Sequence, residues 1–255
     1  MPRRPSLTLP RSSKRPTTPS RFALMSDVHG NLSALQAVAS RLAQEKAVDY
    51  VVVAGDLLQG GAHPREVWDF LTSHPWILLR GNEDDSLFDE GAVQKPMLAS
   101  HPYRNAFLAG RDWTRARVGK SVLDELATLP TQWRIPTSAG DLLVVHASPR
   151  SVDDRAGGPH NTLSEVSEAY GGTGAAAIAF GHYHHHFVRV TPLGLLINVA
   201  SVGLPVDNRP LACLTILTAG LDEWIVEQHQ IPYDPSIEER EAIRRGMPPW
   251  VPDEP

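Results

Sequence analysis

Short apolar runs separated by helix-spaced stretches set the rhythm of the N-terminal third. Residues 22–26 form one such run, ending at Asp27; 48–54 form a second, ending at Gly55-Asp56; 76–79 form a third, ending at Gly81-Asn82. Between them, Asn31 is placed to cap a helix whose apolar face is Leu32, Leu35, Val38, Ala39 and Leu42. Residues 65–73 carry Val67, Phe70 and Leu71 at helical spacing. Continuous apolar strands alternating with helices predict a buried, largely parallel sheet.

Residues 86–130 break this pattern. Two helical stretches are predicted at about 103–118 and 121–129, closed by Pro130, with Phe107, Leu108 and Trp113 as packing residues. Arg104, Arg111, Arg115 and Arg117 read as solvated, the alternative being a cap that meets an anionic substrate. Strands resume at 142–145 and 176–180. Four further runs, 187–191, 195–199, 211–217 and 224–230, follow with short turns between them and predict antiparallel pairing in a second or mixed sheet. A last helix is predicted over 235–245, and no internal repeat is present.

The 255 residues can bury roughly three quarters of their unfolded surface. With 42% hydrophobic and 21% charged residues the composition is that of an ordinary soluble globular chain. The net charge of −5 gives no general attraction to nucleic acid or membranes, and no segment suits a bilayer span. Six of the 24 basic residues (Arg3, Arg4, Arg11, Lys14, Arg15, Arg21) fall within the first 21 positions, which hold no acidic residue. Residues 1–20 therefore read as a disordered basic tail, whose prolines oppose a transit helix. The folded domain is expected over 21–248, with 86–130 as a helical insertion and 249–255 as a tail. Cys213 stands alone, which excludes an internal disulfide and predicts a buried structural thiol. The cytoplasm is the expected compartment.

Five short signals share one setting, the point where an apolar strand stops, and ligands of open α/β sheets collect at carboxyl ends of strands. They are Asp27-Val28-His29, Gly55-Asp56, Arg80-Gly81-Asn82-Glu83-Asp84, His146, and Gly181-His182-Tyr183-His184. Residues i and i+2 of an extended chain project to one side, so Asp27 and His29 can reach one ion; His182 and His184 show the same spacing and are the most suggestive piece. Glycine allows a sharp turn beneath a ligand carboxylate, and asparagine adds a neutral oxygen. His185 and His186 follow directly and are read as non-ligands. Taken singly each signal is weak; five together at strand ends point to metal binding. Three oxygen and four imidazole ligands suit Mn²⁺ foremost, then Fe, Zn²⁺, Ni²⁺ or Co²⁺, and the absence of thiolates argues against structural zinc.

The order Asp-x-His, Gly-Asp, Gly-Asn, His, Gly-His-x-His resembles the calcineurin-like metallophosphoesterases. The stretches Ser26-Asp27-Val28-His29-Gly30-Asn31, Ala200-Ser201-Val202-Gly203-Leu204-Pro205 and Ile231-Pro232-Tyr233-Asp234 are similar to the small bacterial, phosphodiesterase-like branch. The resemblance spans residues 21–248. It implies an α/β fold, a four-layer α/β/β/α sandwich of two mixed sheets, with a helical cap-like insertion. It implies two divalent transition metal ions, one held by Asp27, His29, Asp56 and His184, the other by Asp56, Asn82, His146 and His182, with Asp56 bridging. It implies direct hydrolysis of a phosphoester by metal-bridging hydroxide, without a phosphoenzyme.

The chain departs from the family at three points. Glu83 stands where the family commonly has a histidine that protonates the leaving group; Asn82, Glu83 and Asp84 are the candidate catalytic residues. The favoured reading is that Glu83 is not the acid and leaving groups need little help; the alternative is that Asp84 and Asp85 raise its pKa and a protonated Glu83 donates. No arginine follows Gly55-Asp56, which argues against a protein phosphatase. Asn198-Val199-Ala200-Ser201 replaces Asn-Pro-Gly-Ser and is expected to alter a turn. The expected function is a phosphodiesterase acting on a small or nucleotide-like phosphoester. A phosphomonoesterase or a dinucleoside polyphosphate hydrolase is the enzymatic alternative. A non-catalytic protein-binding scaffold is the other, and the completeness of all seven ligand positions argues against it. Nucleic acid is not an expected partner.

Overall fold

Alternating side chains along the first strand already define the layers. Phe22 and Leu24 point to one side and Ala23 and Met25 to the other, and all four are buried. The computed structural model describes residues 16–94, 101–206 and 209–253, and among these ten strands form two mixed five-stranded sheets. The first sheet runs β10-β9-β1-β2-β3, from β1 (Ser20–Met25), β2 (Tyr50–Ala54), β3 (Ile77–Leu79), β9 (Leu211–Ala219) and β10 (Trp224–Pro232). Its first three strands are parallel, and β9 is antiparallel to both β1 and β10. The second sheet runs β4-β5-β6-β8-β7, from β4 (Gln132–Thr137), β5 (Gly140–Val145), β6 (Ala177–Phe180), β7 (His186–Thr191) and β8 (Gly194–Val199). Strands β5, β6 and β8 are parallel, with antiparallel strands at both edges.

Phe22, Leu24, Val52 and Leu79 meet Trp133, Val144, Ala179 and Ile197 between the sheets. The outer face of the first sheet buries Ala23, Met25 and Val53 against α1 (Leu32–Leu42) and α2 (Pro64–Ser73). On the far side, Leu143, Ile178 and Phe180 pack on Val166, Ala169 and Tyr170 of α5 (Leu163–Tyr170). The result is the expected α/β/β/α sandwich. Asn31 caps α1 as expected, its side chain accepting from the Ala34 N–H at 2.9 Å. Cys213 is buried.

Three elements escape the hydrophobic pattern. Helix α3 (Asn82–Phe88) is short and polar at its start, and its signal is the acidic first turn of Glu83, Asp84 and Asp85. Helix α5 opens on a capping box, Thr162 with Glu165. Edge strand β4 alternates cleanly, with Trp133, Ile135 and Thr137 buried, but it contains Pro136, which an edge tolerates.

Helix α4 (Arg104–Leu126) joins the two stretches expected at 103–118 and 121–129, and Gly119, at φ 76°, marks the kink between them. It packs on α2 and α3 through Val118, Val122 and Leu126 rather than standing clear of them. The reading of its arginines as solvated needs correction. Arg111 is buried, donating to the Ser86 carbonyl at 2.6 Å and pairing with Glu90, because it lies on the face that α4 turns toward α3. Arg117 lies 3.9 Å over the Trp113 ring.

After α6 (Pro235–Arg244) the chain returns to the start of α4, where Trp250 stacks on Tyr103 and Asp253 accepts from the Asn105 N–H. The expected tail at 1–20 lies outside the described residues up to position 15. No helix among the described residues is long and apolar enough to cross a membrane.

Replacing Leu24, 1% exposed between the sheets, with alanine is expected to cost about 2–5 kcal/mol through lost burial and a residual cavity. Urea unfolding should show the loss as a lower midpoint at an unchanged m-value.

Candidate metal centre

The parallel strands of both sheets end at the same edge of the sandwich, and all seven candidate ligands fall there. Asp27 and His29 follow β1, Asp56 follows β2, Asn82 follows β3, His146 follows β5, and His182 and His184 follow β6. The loops are tied across the sheets: the Gly181 N–H donates to the His146 carbonyl at 2.9 Å, and the Asp27 N–H to the Gly55 carbonyl at 2.9 Å.

How the paired ligands converge differs from the extended-chain expectation. Asp27, His29, Asp56, His182 and His184 all adopt positive φ, at 56°, 50°, 51°, 65° and 56°. Left-handed backbone at a residue with a Cβ is uncommon and costs about 1–2 kcal/mol. Here it brings Asp27 and His29 into one cluster and divides His182 and His184 between that cluster and a second. Ala200 (φ 59°) is strained in the same way. A glycine fits that conformation freely, so the Asn-Val-Ala-Ser departure keeps the turn and adds strain. Close approach imposes the glycines: a Cβ on Gly81 would overlap Asp56 Oδ1, and one on Gly181 would overlap Asp27 Oδ2.

Two groups of side chains result. His184 Nε2 lies 3.0 Å from Asp27 Oδ1 and 3.2 Å from His29 Nε2. His146 Nε2 lies 3.2 Å from Asp56 Oδ2 and 3.0 Å from Asn82 Oδ1. The same terminal atom of Asn82 is 2.8 Å from His182 Nδ1. Asp27, His29 and His184 form one cluster with ligand atoms within 4.8 Å of one another, and Asp56, His146 and His182 a second. His29, Asp56 and Glu83 form a third, so Asp56 faces both sides.

The supports are as specific as the ligands. His29 Nδ1 donates to the Gln59 carbonyl at 2.8 Å and His146 Nδ1 to the Ala54 carbonyl at 2.7 Å, which turns each Nε2 inward. Each aspartate has one oxygen tethered and one facing the cluster: Asp27 Oδ2 accepts from the His182 N–H at 3.0 Å, and Asp56 Oδ1 from the Glu83 N–H at 2.8 Å. Ser201 Oγ donates to the Asp27 carbonyl at 2.8 Å, and Asn198 Nδ2 to the Gly181 carbonyl at 2.6 Å. Gln59, Ser201 and Asn198 are supporting residues that the ligand pattern alone did not disclose; the signal for Ser201 was the second family-like stretch, and for Asn198 the Asn-Val-Ala-Ser turn beside it.

The three candidate catalytic residues separate. The Asn82 amide is in the cluster. Glu83 Oε2 lies 3.5 Å from His29 Nδ1, in the cluster with His29 and Asp56. Asp84 points away: its oxygens accept the Leu57 and Gly81 N–H groups, both at 2.9 Å, latching the Asp56 and Asn82 turns together. That makes Asp84 a positioning residue. Burial and the neighbouring Asp56 raise its carboxyl to about 7. His185 is exposed and His186 opens β7, neither in a cluster.

The electrostatics are those of a centre built around cations. Burial opposes charge on His29 and His146. For His29 this is outweighed by Glu83, Asp56 and Asp27, for His146 by Asp56 and Asp27, and both imidazoles rise to about 10. Burial raises the Asp27 and Asp56 carboxyls, but the surrounding histidines, His184 for Asp27 and His146 for Asp56, pull both below the ordinary carboxylate value. Burial and His146 lower His182 to about 4. Divalent ions fit this arrangement: oxygen and nitrogen ligand atoms converge, and the far ring nitrogens of His29 and His146 are already engaged.

Residues 20–186 match the family model of the calcineurin-like phosphoesterases, and the chain belongs to that family. It is accordingly a metal-dependent phosphoesterase, a hydrolase. An uncharacterised protein of Methanocaldococcus jannaschii is 23% identical over 248 residues, covering 91% of this chain and 96% of its own. A metallophosphoesterase from Sphaerobacter thermophilus superposes with a TM-score of 0.65 at 23% identity, over 90% of this chain and 95% of that one. A hypothetical protein from Pyrococcus horikoshii gives 0.74 at 17% identity, over 90% and 94%. At these identities the two structures show the shared fold.

Divalent cations are expected to displace protons from His29 and His146, so affinity should climb from about pH 6 to about pH 9 with net proton release. Calorimetry in buffers of different ionisation enthalpy measures both. The sign for the metal-free fold is opposite. Both values lie above the ordinary 6.5, so the stability that they contribute is complete below about 6.5 and lost as pH rises through about 10.

Proposed function

We propose that the chain is a dinuclear phosphodiesterase. Asp27, His29, Asp56 and His184 would hold one divalent ion and Asp56, Asn82, His146 and His182 the other, manganese fitting this oxygen and imidazole set. The observation that carries this reading is the convergence of all seven side chains at one edge, with Asp56 facing both clusters. Two such ions supply Lewis acidity at phosphorus and acidify the attacking water. The chain's own residues align the site: Asp27 and Asp56 each keep one tethered oxygen, and Gln59 and Ala54 hold the two rings.

The likeness of residues 26–31, 200–205 and 231–234 to the phosphodiesterase-like branch favours a diester. A phosphomonoesterase is the alternative, and a scaffold is disfavoured because every ligand position is filled. The tail and compartment remain as expected from sequence: a basic extension before residue 21, and the cytoplasm.

Metal-stripped protein should be inactive on bis(4-nitrophenyl) phosphate and regain turnover with Mn²⁺, with the monoester a poorer substrate. Asp56→Asn should lower kcat more than about a hundredfold. No turnover with any divalent ion on either ester would leave the scaffold reading standing. Glu83→Gln should reduce turnover of esters with good and poor leaving groups equally. A selective loss on poor leaving groups would make Glu83 the proton donor instead.

A further inference from the structure

Helix α6 buries a charged side chain, Glu238, which is 9% exposed. Its two oxygens have separate partners on separate helices. Oε1 accepts from the Ser33 N–H, in the first turn of α1, at 3.0 Å, and Oε2 from His63 Nδ1 at 2.9 Å. His63 is the N-cap of α2, so the carboxylate lies between two helix N-termini, whose partial positive charge favours it. Just past α6, Arg245 ties the same pair of helices together again, 2.7 Å from Glu66 of α2.

Both contacts of Glu238 lead to the metal centre. Residues 59–63 lie against the His29 turn along their whole length. The Gln59 carbonyl accepts from His29 Nδ1 at 2.8 Å. At Gly61 an added Cβ would come 2.5 Å from the His29 carbonyl oxygen. The His63 N–H donates to the Gly30 carbonyl at 3.0 Å. One end of this loop therefore orients the His29 ring, and the other end is the residue that Glu238 grips. Ser33, the second partner, belongs to the helix that the His29 turn leads into. Between them Asn31 donates to the Tyr233 hydroxyl at 3.3 Å, from the connection between β10 and α6.

We propose that Glu238 is a positioning residue for the metal centre, bracing the His29 turn from the C-terminal helix. It lies beyond residues 20–186, the span that the family model matches. Partners behind a metal-binding imidazole fix its ring and contribute about 10–100-fold to metal affinity. Without the carboxylate, His63 loses its anchor, the 59–63 loop loosens, and the His29 ring loses its fixed direction. His146 is held by the Ala54 carbonyl instead and keeps its place. The inference rests on the two-ion assignment proposed above, because its effect falls on the ion assigned to His29.

Calorimetric titration of the metal-free protein with Mn²⁺ tests this. Glu238→Ala should weaken one of two binding steps by about tenfold or more and leave the other within about twofold. His63→Ala cuts the same link from the other side and should reproduce the selective loss, which keeps the test open if the first variant does not fold. Glu238→Gln, able to accept from Ser33 and to meet His63 in its other tautomer, should recover most of the affinity. Glu239→Ala, exposed on the same helix, should change neither step. Equal weakening of both steps, or no weakening in the folded alanine variants, would overturn the brace. Histidine ¹³C NMR without metal separates this from a failure of the two-ion assignment: Glu238→Ala should move the ring signals of His29 and leave those of His146. Uptake of a single Mn²⁺ by the unaltered protein would remove the two-ion assignment, and unmoved His29 signals would remove the brace whatever the metal count.

Discussion

Burying two aspartates and four imidazoles at one point is the constraint around which the rest of this molecule is arranged. Unpaired, each buried carboxylate would cost several kcal/mol. The structure divides the duties of each aspartate, one oxygen accepting a backbone N–H from another loop and the other left to face the cluster. Those N–H groups belong to His182 and Glu83, which follow strands β6 and β3, so neither aspartate is held unless separate strands end together. Asp84 adds a further tie between the Asp56 and Asn82 turns. The centre therefore depends on the register of both sheets, and the sheets are kept in place by the core between them.

The same constraint explains the strained backbone. Five ligands hold left-handed φ values, a concentration that would destabilise an isolated loop by several kcal/mol. Each strained residue directly follows or nearly follows a buried strand, and for Asp27, His29, Asp56 and His182 a carbonyl or amide is bonded across the edge, as with His29 to Asp56 and Gly203 to Asp27. The core offsets the strain, and the strain aims the side chains. Glycines 81 and 181 serve the complementary need, letting backbone approach ligand carboxylates where any Cβ would collide.

Positive and negative groups also divide the site. The centre has three carboxylates and no arginine in its clusters, a balance made for cations. Arg209 is among the residues that line a cleft beside His184. Glu83, the third carboxylate, is turned toward His29, 3.5 Å from its Nδ1.

By itself the sequence determined the alternation of strands and helices, the strand-end position of every candidate ligand, and the pairing of glycines with ligand turns. These are local properties: periodicity reports which face is buried, and composition reports which atoms can bind a metal. Short elements were less legible. Helix α3 is polar at its start, α5 depends on its capping box, and β4 carries a proline, so their stability comes from neighbours rather than from their own pattern. Only the tertiary structure decided how Asp27 meets His29 and His184, since the left-handed turns replace the extended spacing that sequence suggests. It also decided that Asp84 ties the Asp56 and Asn82 turns together, that Arg111 is buried, and that Glu83 faces an imidazole. In each case the deciding partner lies on a different element, or strands away along the chain, and no local pattern carries that information.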